Sequence, residues 1–555
     1  MWRLRGLLLF FYIWFFLITA RLFQWQVLSN SHFRDKALKQ QIMRTEVIPR
    51  RGEILAHDGS PIVANQAAYV VYAEPKLLES PLDVSKQLSV PLKMEEASIA
   101  ALLQSNLYWV PIKRKVEQEF VDQIKKLNVK GIGMEREDKR FYPEGSMSAH
   151  LVGFVGSTYD GTDEGYFGLE GYYDRELKGR TGFLQQSRSA LGNPILAGET
   201  REIEPENGSA LKLHLDRTMQ FIAERKLLEG IEQFGAKGGS VIIMDPKDGG
   251  IKAIASYPSY DPAIYDQFPA EYYRNPDVAD TYEPGSTFKV LVMAAAINEG
   301  VVKPDTVFEE PGPLPVGGYK IRTWNNEYSG TLTATQVLER SSNVGMVHVG
   351  NKLGGDRLVS YIKAFGFGEK TQIDLAEESS PRLREDWQEI DLATLTFGQG
   401  IAVTPIQMIR AVAAIANGGT LYEPQMVDSV VSPWKEVYDI KPKIVREVLK
   451  PTTAKIVTEM MVSAVDHGEA KYKKPAGYRV AGKTGTAQIP VEGHYDATKT
   501  IASFVGFAPA DDPQFIMLVR IQEPTSSPWG SETAAPLFFG IAKELFSYLH
   551  IAPSY

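Results

Sequence analysis

The sequence predicts an α+β fold preceded by one membrane-spanning helix, and three observations support this prediction. The first is an almost uninterrupted apolar run over residues 6–20. The second is a middle region in which short strand-like and amphipathic helical patterns alternate. The third is a long C-terminal region with apolar strand patterns at both ends and helical patterns between them. That arrangement is typical of an antiparallel sheet flanked by helices.

Length and composition exclude several classes of protein. A chain of 555 residues is too long for one compact core, so two or three domains are expected. With 44% hydrophobic and 23% charged residues the composition is that of an ordinary globular protein. The net charge is −8, without a large basic stripe, so no nucleic-acid partner is expected. Cysteine is absent and the eight histidines are scattered, so neither a metal site nor a cofactor is expected.

Residues 1–28 predict a cytoplasmic tip followed by an uncleaved signal anchor. Two arginines precede the apolar run, whose fifteen helical residues would rise roughly 22 Å against a hydrocarbon core of about 30 Å. The span is long enough if it continues through Leu28 and Arg21 reaches the interface. A cleaved signal peptide is the alternative, but no small-x-small cleavage site follows. We expect the amino terminus in the cytoplasm and everything beyond about residue 29 outside it.

The region between the anchor and residue 205 predicts a small α+β domain. Residues 29–45 are interpreted as a polar helical stalk. Asp58-Gly59 between two strand-like segments predicts a hairpin. Residues 70–73 predict another strand, and residues 76–130 predict two or three amphipathic helices, one of which includes the helically spaced Val116, Phe120, Ile124 and Leu127.

The turn-rich stretch 202–209 is the best domain boundary in the chain. We therefore predict a non-catalytic domain over 29–205 and a second domain over 206–555. In the second domain helices are predicted over 218–234 and 533–549. Strands are predicted over 240–244, 251–255, 479–488, 501–508 and 514–521.

The pattern Ser-x-x-Lys occurs four times and carries little weight alone. The matches are Ser209/Lys212, Ser286/Lys289, Ser360/Lys363 and Ser432/Lys435. The first lies in a predicted strand, where positions i and i+3 point to opposite faces; the third fits a solvated helix face and the fourth a loop. Ser286 differs because it follows Pro284-Gly285 and begins a very apolar helix, whose surroundings would desolvate a lysine one turn further on.

Two further motifs occur once each. Ser341-Ser342-Asn343 taken alone would be a helix N-cap, and Lys483-Thr484-Gly485 a strand with a glycine bulge. Their order after Ser286 and Lys289 is more informative than any single motif. The set contains a nucleophile, a base, a proton relay and a carboxylate-binding strand, which is typical of serine acyltransferases that act on D-alanyl peptides or β-lactams.

With these motifs the chain resembles the class B penicillin-binding proteins, which are single-function peptidoglycan D,D-transpeptidases. The resemblance spans nearly the whole chain. It includes Arg51-Gly52-Glu53-Ile54, Asp58-Gly59, Arg140-Phe141-Tyr142-Pro143, Gly168-Leu169-Glu170, Tyr282 through Lys289, Gly398-Gln399-Gly400, Thr404-Pro405-Ile406-Gln407 and Gly482 through Gln488. His57 departs from the commoner form of its motif, outside the chemistry. The resemblance implies an elongated, dimerisation-type pedestal over 29–205 and a transpeptidase domain of the serine β-lactamase type over 206–555.

The resemblance also implies catalytic roles for five residues. Ser286 would attack the carbonyl of the penultimate D-alanine of a stem peptide. Lys289 would take the hydroxyl proton as a neutral amine, with its pKa lowered by burial and by Lys483. Ser341 would relay the proton to the departing D-alanine, and Asn343 would hold the peptide and orient Lys289.

The third motif would bind the end of the substrate. Lys483, Thr484 and Thr486 would hold the terminal carboxylate, and the backbone N–H groups of Ser286 and Thr486 would form the oxyanion hole. Gly485 would leave the strand bare, so that substrate can lie against it. An amine from a neighbouring stem peptide would then complete the cross-link, and β-lactams would trap the acyl-enzyme.

Other functions share these motifs. A β-lactamase or soluble carboxypeptidase needs only one catalytic domain and no anchor. A bifunctional penicillin-binding protein would need a glycosyltransferase domain before residue 205, which the short strands and helices there do not match. A β-lactam receptor would need a cytoplasmic signalling domain, which is not expected. A scaffold that mainly activates a polytopic peptidoglycan glycosyltransferase stays open, and this role is compatible with catalysis.

The cellular role is predicted from the second motif. Ser-Ser-Asn resembles the division and sporulation branch of the family more than the elongation branch, where Ser-x-Asp is frequent. An elongation-type transpeptidase is the alternative. The partners expected from the resemblance are stem peptides, β-lactams, a membrane glycosyltransferase, other division proteins and the membrane.

Overall fold

The computed structural model describes residues 1–159, 161–187, 200–491 and 494–554. The helices are α1 Trp2–Phe23, α2 Asn30–Gln41, α3 Pro81–Leu92, α4 Glu96–Leu103, α5 Gln118–Leu127, α6 Ala149–Val152, α7 Gly168–Tyr172, α8 Asp174–Lys178, α9 Arg217–Phe234, α10 Pro276–Ala279, α11 Lys289–Asn298, α12 Ala334–Glu339, α13 Asn343–Leu353, α14 Gly355–Ala364, α15 Glu389–Leu395, α16 Pro405–Ala416, α17 Pro451–His467 and α18 Ala534–Tyr548.

The strands are β1 Ile42–Val47, β2 Ile54–Leu55, β3 Pro61–Ala73, β4 Val110–Glu117, β5 Ile132–Phe141, β6 Phe154–Ser157, β7 Asp163–Tyr166, β8 Gly182–Ser187, β9 Thr200–Ile203, β10 Ala210–Leu213, β11 Gly238–Met244, β12 Ile251–Tyr257, β13 Val307–Glu310, β14 Leu314–Val316, β15 Tyr319–Ile321, β16 Gly330–Thr333, β17 Thr420–Tyr422, β18 Val427–Val431, β19 Val437–Asp439, β20 Ile444–Glu447, β21 Ala481–Val491, β22 His494–Ala508 and β23 Phe515–Gln522. The chain forms two compact units, one of residues 1–51 and 178–208 and the other of residues 52–177 and 209–555.

The first unit begins with the apolar helix. α1 continues as a π-helical turn over Gln24–Leu28, so the helical span is 27 residues long. Among the described residues it is the one helix long and apolar enough to cross a membrane. The predicted stalk over 29–45 is helical only to Gln41. Its last residues belong to β1 instead, because β1 pairs with β8, a partner that is distant in sequence.

The second unit contains a seven-stranded sheet of order β19-β18-β10-β2-β3-β4, with β5 also paired to β3. β10 lies at its centre: Leu211 is opposite Ile54 in a parallel pair and opposite Val430 in an antiparallel pair. Ile54 and Leu211 are fully buried in one hydrophobic cluster. The sheet therefore joins strands from both sides of the 202–209 stretch.

The far end of this sheet carries a helical layer. The hairpin predicted at Asp58-Gly59 is confirmed, because β2 and β3 pair across that turn. The separate strand predicted over 70–73 is wrong, since β3 runs unbroken over thirteen residues and pairs with both β4 and β5. Three helices occur between residues 76 and 130, but Val116 lies in β4 and not in a helix. Val116 is spaced from Phe120 as in a helix, but the helix itself begins only at α5.

A five-stranded antiparallel sheet of order β12-β11-β23-β22-β21 forms the centre of the C-terminal region. Alternate residues of β11 face opposite layers: Val241 and Ile243 pack with α9 and α18, whereas Ile242 and Met244 pack in the cluster that includes α11 and α16. The strands and helices predicted at both ends of this region are confirmed. β21 is an edge strand, so one side of its backbone is open for a ligand.

Candidate active site

Ser286 lies in a 3₁₀ turn, Gly285–Phe288, which leads directly into α11. The sequence predicted one helix from Ser286, and the structure divides it into these two parts. Gly285 has a φ of +55°, and a Cβ there would come within 2.9 Å of the carbonyl oxygen of Thr486. Its N–H donates to the carbonyl oxygen of Gly398 at 3.0 Å. These contacts place Ser286 beside β21, half-buried at the start of a helix.

Lys289 is fully buried and points at the second motif. Its Nζ donates to the Ser341 carbonyl oxygen at 2.5 Å, to Ser341 Oγ at 3.2 Å and to Asn343 Oδ1 at 2.8 Å. Burial, and then the cation of Lys483, hold the pKa of Lys289 well below its ordinary value. The carboxylates of Glu469 and Glu310 oppose this shift. The net lowering favours the neutral amine that a general base needs.

The second motif has two roles at once. Ser342 is the N-cap of α13, where its Oγ accepts from the Gly345 N–H at 2.8 Å and donates to the buried Glu310. Ser341 has a φ of +53°, in the left-handed region, and faces Lys289. Asn343 is fixed by its Nδ2, which donates to the carbonyl oxygen of Arg322 at 2.9 Å. Ser342 thus fits the capping interpretation, whereas its neighbours Ser341 and Asn343 fit the catalytic interpretation.

The third motif lies on β21, with Lys483 opposite Val505 and Gly485 opposite Ser503 on β22. Lys483 is 3% exposed, and its Nζ donates to Thr484 Oγ1 at 3.1 Å. Burial lowers the pKa of Lys483 and the carboxylate of Glu469 raises it. Two lysine amines, those of Lys289 and Lys483, therefore reach the same site from a helix and from an edge strand.

Gly485 and Thr486 complete this strand. A Cβ at Gly485 would meet Ser503 Oγ at 2.5 Å and Thr287 Cγ2 at 2.8 Å. The protein's own packing therefore disfavours a side chain at Gly485, in addition to the predicted need to leave the strand bare for substrate. Thr486 Oγ1 accepts from the Gly530 N–H at 3.0 Å, which orients its hydroxyl.

The three motifs meet at a cavity of about 230 Å³. The predicted residues on its wall are Ser286, Ser341, Asn343, Thr484, Gly485 and Thr486. Further wall residues that the site prediction did not include are Trp324, Phe397, Gln399, Glu469, Gln488, Thr500, Pro528 and Trp529. Trp324 and Trp529 meet in a T-shaped contact with 4.9 Å between ring centroids. A solvent-facing Trp or Glu in a loop has no local pattern, so only the fold brings these residues to the cleft.

Comparison with known proteins supports the serine acyltransferase chemistry that the three motifs predict. The family model for the penicillin-binding protein transpeptidase domain matches residues 239–546, and that for the penicillin-binding protein dimerisation domain matches residues 46–213. The chain belongs to the penicillin-binding protein family. This penicillin-binding protein has the class B organisation, in which a dimerisation domain precedes the transpeptidase domain.

The similarity to curated relatives extends over nearly the whole length of this chain. It is 36% identical to Stage V sporulation protein D of Bacillus subtilis, over 99% of this chain and 86% of that protein. It is 31% identical to peptidoglycan D,D-transpeptidase FtsI of Escherichia coli, over 94% of this chain and 88% of that protein. The solved structure of penicillin-binding protein 2X from Streptococcus thermophilus superimposes with a TM-score of 0.77 at 26% identity, covering 92% and 81% of the two chains.

These findings establish the activity of the penicillin-binding protein. It is a peptidoglycan D,D-transpeptidase, a serine acyltransferase of cell-wall synthesis. Its substrates are peptidoglycan peptides, and it binds β-lactams. With the apolar helix at its amino terminus it is a single-pass membrane protein.

Proposed function

We propose that this transpeptidase cross-links stem peptides through an ester on Ser286, with Lys289 as the base. The observation that carries the proposal is the environment of Lys289. Its amine is fully buried one helical turn from Ser286, is held by the Ser341 and Asn343 oxygens, and has a pKa well below the ordinary value. A lowered pKa increases the share of the neutral amine, which is the form that can accept a proton.

Acylation follows from this arrangement. Ser286 Oγ attacks the carbonyl carbon of the penultimate D-alanine, and its proton passes to Lys289 Nζ. The oxyanion that forms accepts from the N–H groups of Ser286 and Thr486. The C–N bond to the terminal D-alanine then breaks, and the departing amine takes the proton from Lys289 through the Ser341 hydroxyl. An acceptor amine attacks the ester by the reverse route, which forms the cross-link and releases Ser286.

The edge strand supplies substrate recognition in this proposal. The ammonium of Lys483 and the hydroxyls of Thr484 and Thr486 bind the terminal carboxylate of the donor. Asn343 Oδ1 already accepts from Lys289, so Asn343 holds the peptide backbone through its Nδ2 group. Gly485 contributes backbone rather than side chain.

The cellular setting is also part of the proposal. The anchor over residues 1–28 has its amino terminus in the cytoplasm, the pedestal covers 29–205, and the catalytic domain over 206–555 acts outside the membrane. The Ser-Ser-Asn motif and the similarity to a sporulation protein support a role in division or sporulation. A polytopic peptidoglycan glycosyltransferase and other division proteins are the proposed partners.

Covalent labelling by a fluorescent penicillin tests the nucleophile. We expect the full-length protein in detergent to be labelled and Ser286→Ala to lose labelling completely. Ser360→Ala is the matched control, because Ser360 belongs to the same four-residue pattern on the exposed face of α14. Labelling that persists in Ser286→Ala would contradict the assignment. In cells depleted of the protein, rescue by Ser286→Ala would show that scaffolding suffices.

A further inference from the structure

Glu469 is a carboxylate of the catalytic cleft that the mechanism above does not use. It lies in the turn after α17 and lines the cavity together with Ser286 and Thr484. Thr484 Oγ1 donates to Glu469 Oε2 at 3.2 Å, and Thr484 Oγ1 itself accepts from Lys483 Nζ at 3.1 Å. The Lys483 ammonium, the Thr484 hydroxyl and the Glu469 carboxylate thus form one hydrogen-bonded chain.

In this hydrogen-bonded series Glu469 occupies the place that the carboxylate of a bound donor would take. A donor peptide or a penicillin presents a carboxylate to Lys483 and Thr484, and Glu469 already presents one to the Thr484 hydroxyl. A hydroxyl group has only one hydrogen to donate. The Thr484 hydroxyl must therefore turn from Glu469 to the donor when the donor binds.

We propose that Glu469 is a positioning residue that competes with the donor carboxylate for the Thr484 hydroxyl and so weakens the affinity of the site for anionic donors. The inference rests on the proposed role of Thr484 in binding the donor carboxylate. It adds a residue that sets affinity from within the protein. The competition has two parts: loss of a hydrogen bond in the free enzyme, and repulsion between two carboxylates at one hydroxyl.

The same carboxylate has a compensating benefit. Lys483 is buried, which lowers its pKa, and Glu469 raises that pKa. Glu469 thereby helps to keep Lys483 charged before a donor arrives, while it also raises the pKa of Lys289 directly. In the free enzyme Glu469 thus supports the cation that binds the donor carboxylate.

A neighbouring pocket provides a matched control. It has a volume of about 280 Å³ and shares Trp324 and Glu469 with the catalytic cavity. Glu327 on its wall is exposed and accepts from Asn325 Nδ2 at 2.9 Å. Glu327→Gln therefore removes the same unit charge close to the cleft without touching the hydroxyl of the catalytic strand.

The experiment separates binding from chemistry in the full-length protein in detergent. Stopped-flow acylation by a fluorescent penicillin, measured over a range of concentrations, yields the dissociation constant of the first complex and the limiting acylation rate. We expect Glu469→Gln to lower that dissociation constant about three- to tenfold, the effect of removing one like charge at a partly exposed site. We expect Glu327→Gln to leave it within about twofold of wild type, since that charge is further from the hydroxyl and screened.

Two further arms exclude a merely structural effect. In a Thr484→Val background, Glu469→Gln should change the dissociation constant less than it does in the wild type, because the shared hydroxyl is gone and only the repulsion between the carboxylates remains. In high salt the advantage of Glu469→Gln should shrink. The inference is overturned if Glu469→Gln binds no tighter than wild type, or if its effect is undiminished in the Thr484→Val background. A wild-type protein that is not labelled at all would instead refute the proposed function.

Discussion

Two Ser-x-x-Lys pairs, Ser286/Lys289 and Ser360/Lys363, share a sequence pattern and a helical setting but differ in burial and in their neighbours. Lys289 begins α11, whose residues are buried from Lys289 to Ile297, and it is itself 0% exposed. Ser360 and Lys363 are both exposed on α14, which buries Leu358 and Ile362 on its other face. Both pairs place serine and lysine on one side of a helix. The pattern therefore supplies only proximity, whereas burial and the Lys483 cation lower the pKa of Lys289, as its proposed role as a base requires.

Those neighbours come from elements far apart in the chain. Lys483 is on β21, Glu310 is on β13, and the Ser341 and Asn343 oxygens precede and begin α13. Lys363, by contrast, is exposed to solvent on α14. The following predictions test whether this difference in surroundings explains the chemistry.

The largest effect is expected from removing the two lysines separately. Lys289→Ala should slow penicillin acylation about 10²- to 10⁴-fold, the contribution typical of a positioned general base. Lys363→Ala should leave the acylation rate unchanged, because its side chain is exposed on α14. The measurement is the second-order rate of covalent labelling of the full-length protein. Equal rates for the two variants would contradict the assignment of Lys289 as the base.

A smaller effect concerns the pH dependence of acylation. Lys289 must be neutral, so the rate rises as the pH passes upward through its folded-state pKa. The cation of Lys483 lowers that pKa, and the anions Glu469 and Glu310 raise it. Lys483→Ala should therefore move the acid limb of the limiting acylation rate to higher pH, and Glu469→Gln should move it to lower pH.

The limiting rate at saturating penicillin is the correct measure here, because Lys483→Ala also weakens binding of the carboxylate. Lys363→Ala is again the control and should leave the acid limb in place. Shifts of the same sign for Lys483→Ala and Glu469→Gln would contradict the electrostatic account.

The smallest effect is expected at the middle residue of the second motif. Ser342→Ala removes the N-cap of α13 and the partner of buried Glu310, and should lower the free energy of unfolding by about 1–2 kcal/mol. Ser341 and Asn343 keep their contacts with Lys289, so the acylation rate should fall far less than in Lys289→Ala. Thermal or denaturant unfolding measures the first quantity and penicillin labelling the second. A variant of unchanged stability would show that the cap is not needed.

Much of the C-terminal fold follows from local patterns. β11 and β12 are short apolar runs joined by turn residues, and α9 has Asp216 as its N-cap, accepting from the Thr218 and Met219 N–H groups. Such signals depend on residues near one another in sequence. They failed where pairing was distant: β3 is one long strand because β4 and β5 flank it, and β1 exists because β8 lies beside it. The domain boundary predicted at 202–209 stays a prediction.

The site divides in the same way. The three motifs were identified from sequence because each is compact, and the structure brings all of them to one cavity. Trp324, Trp529 and Glu469 were missed, because nothing near them in sequence distinguishes them from ordinary surface residues. These three residues line the cleft because the loops that carry them converge there once β21, α17 and the strands beside Trp324 have packed.

The sequence identified three compact motifs and their order, because Ser-x-x-Lys, Ser-x-Asn and Lys-Thr-Gly each need a specific side chain at a specific local spacing. Only the tertiary structure gave the burial and the contact distances of Lys289, and only it placed Glu469 at the Thr484 hydroxyl. Burial and electrostatic coupling are sums over neighbours that are remote in the chain. A local pattern contains no information about those neighbours, and the folded packing supplies it.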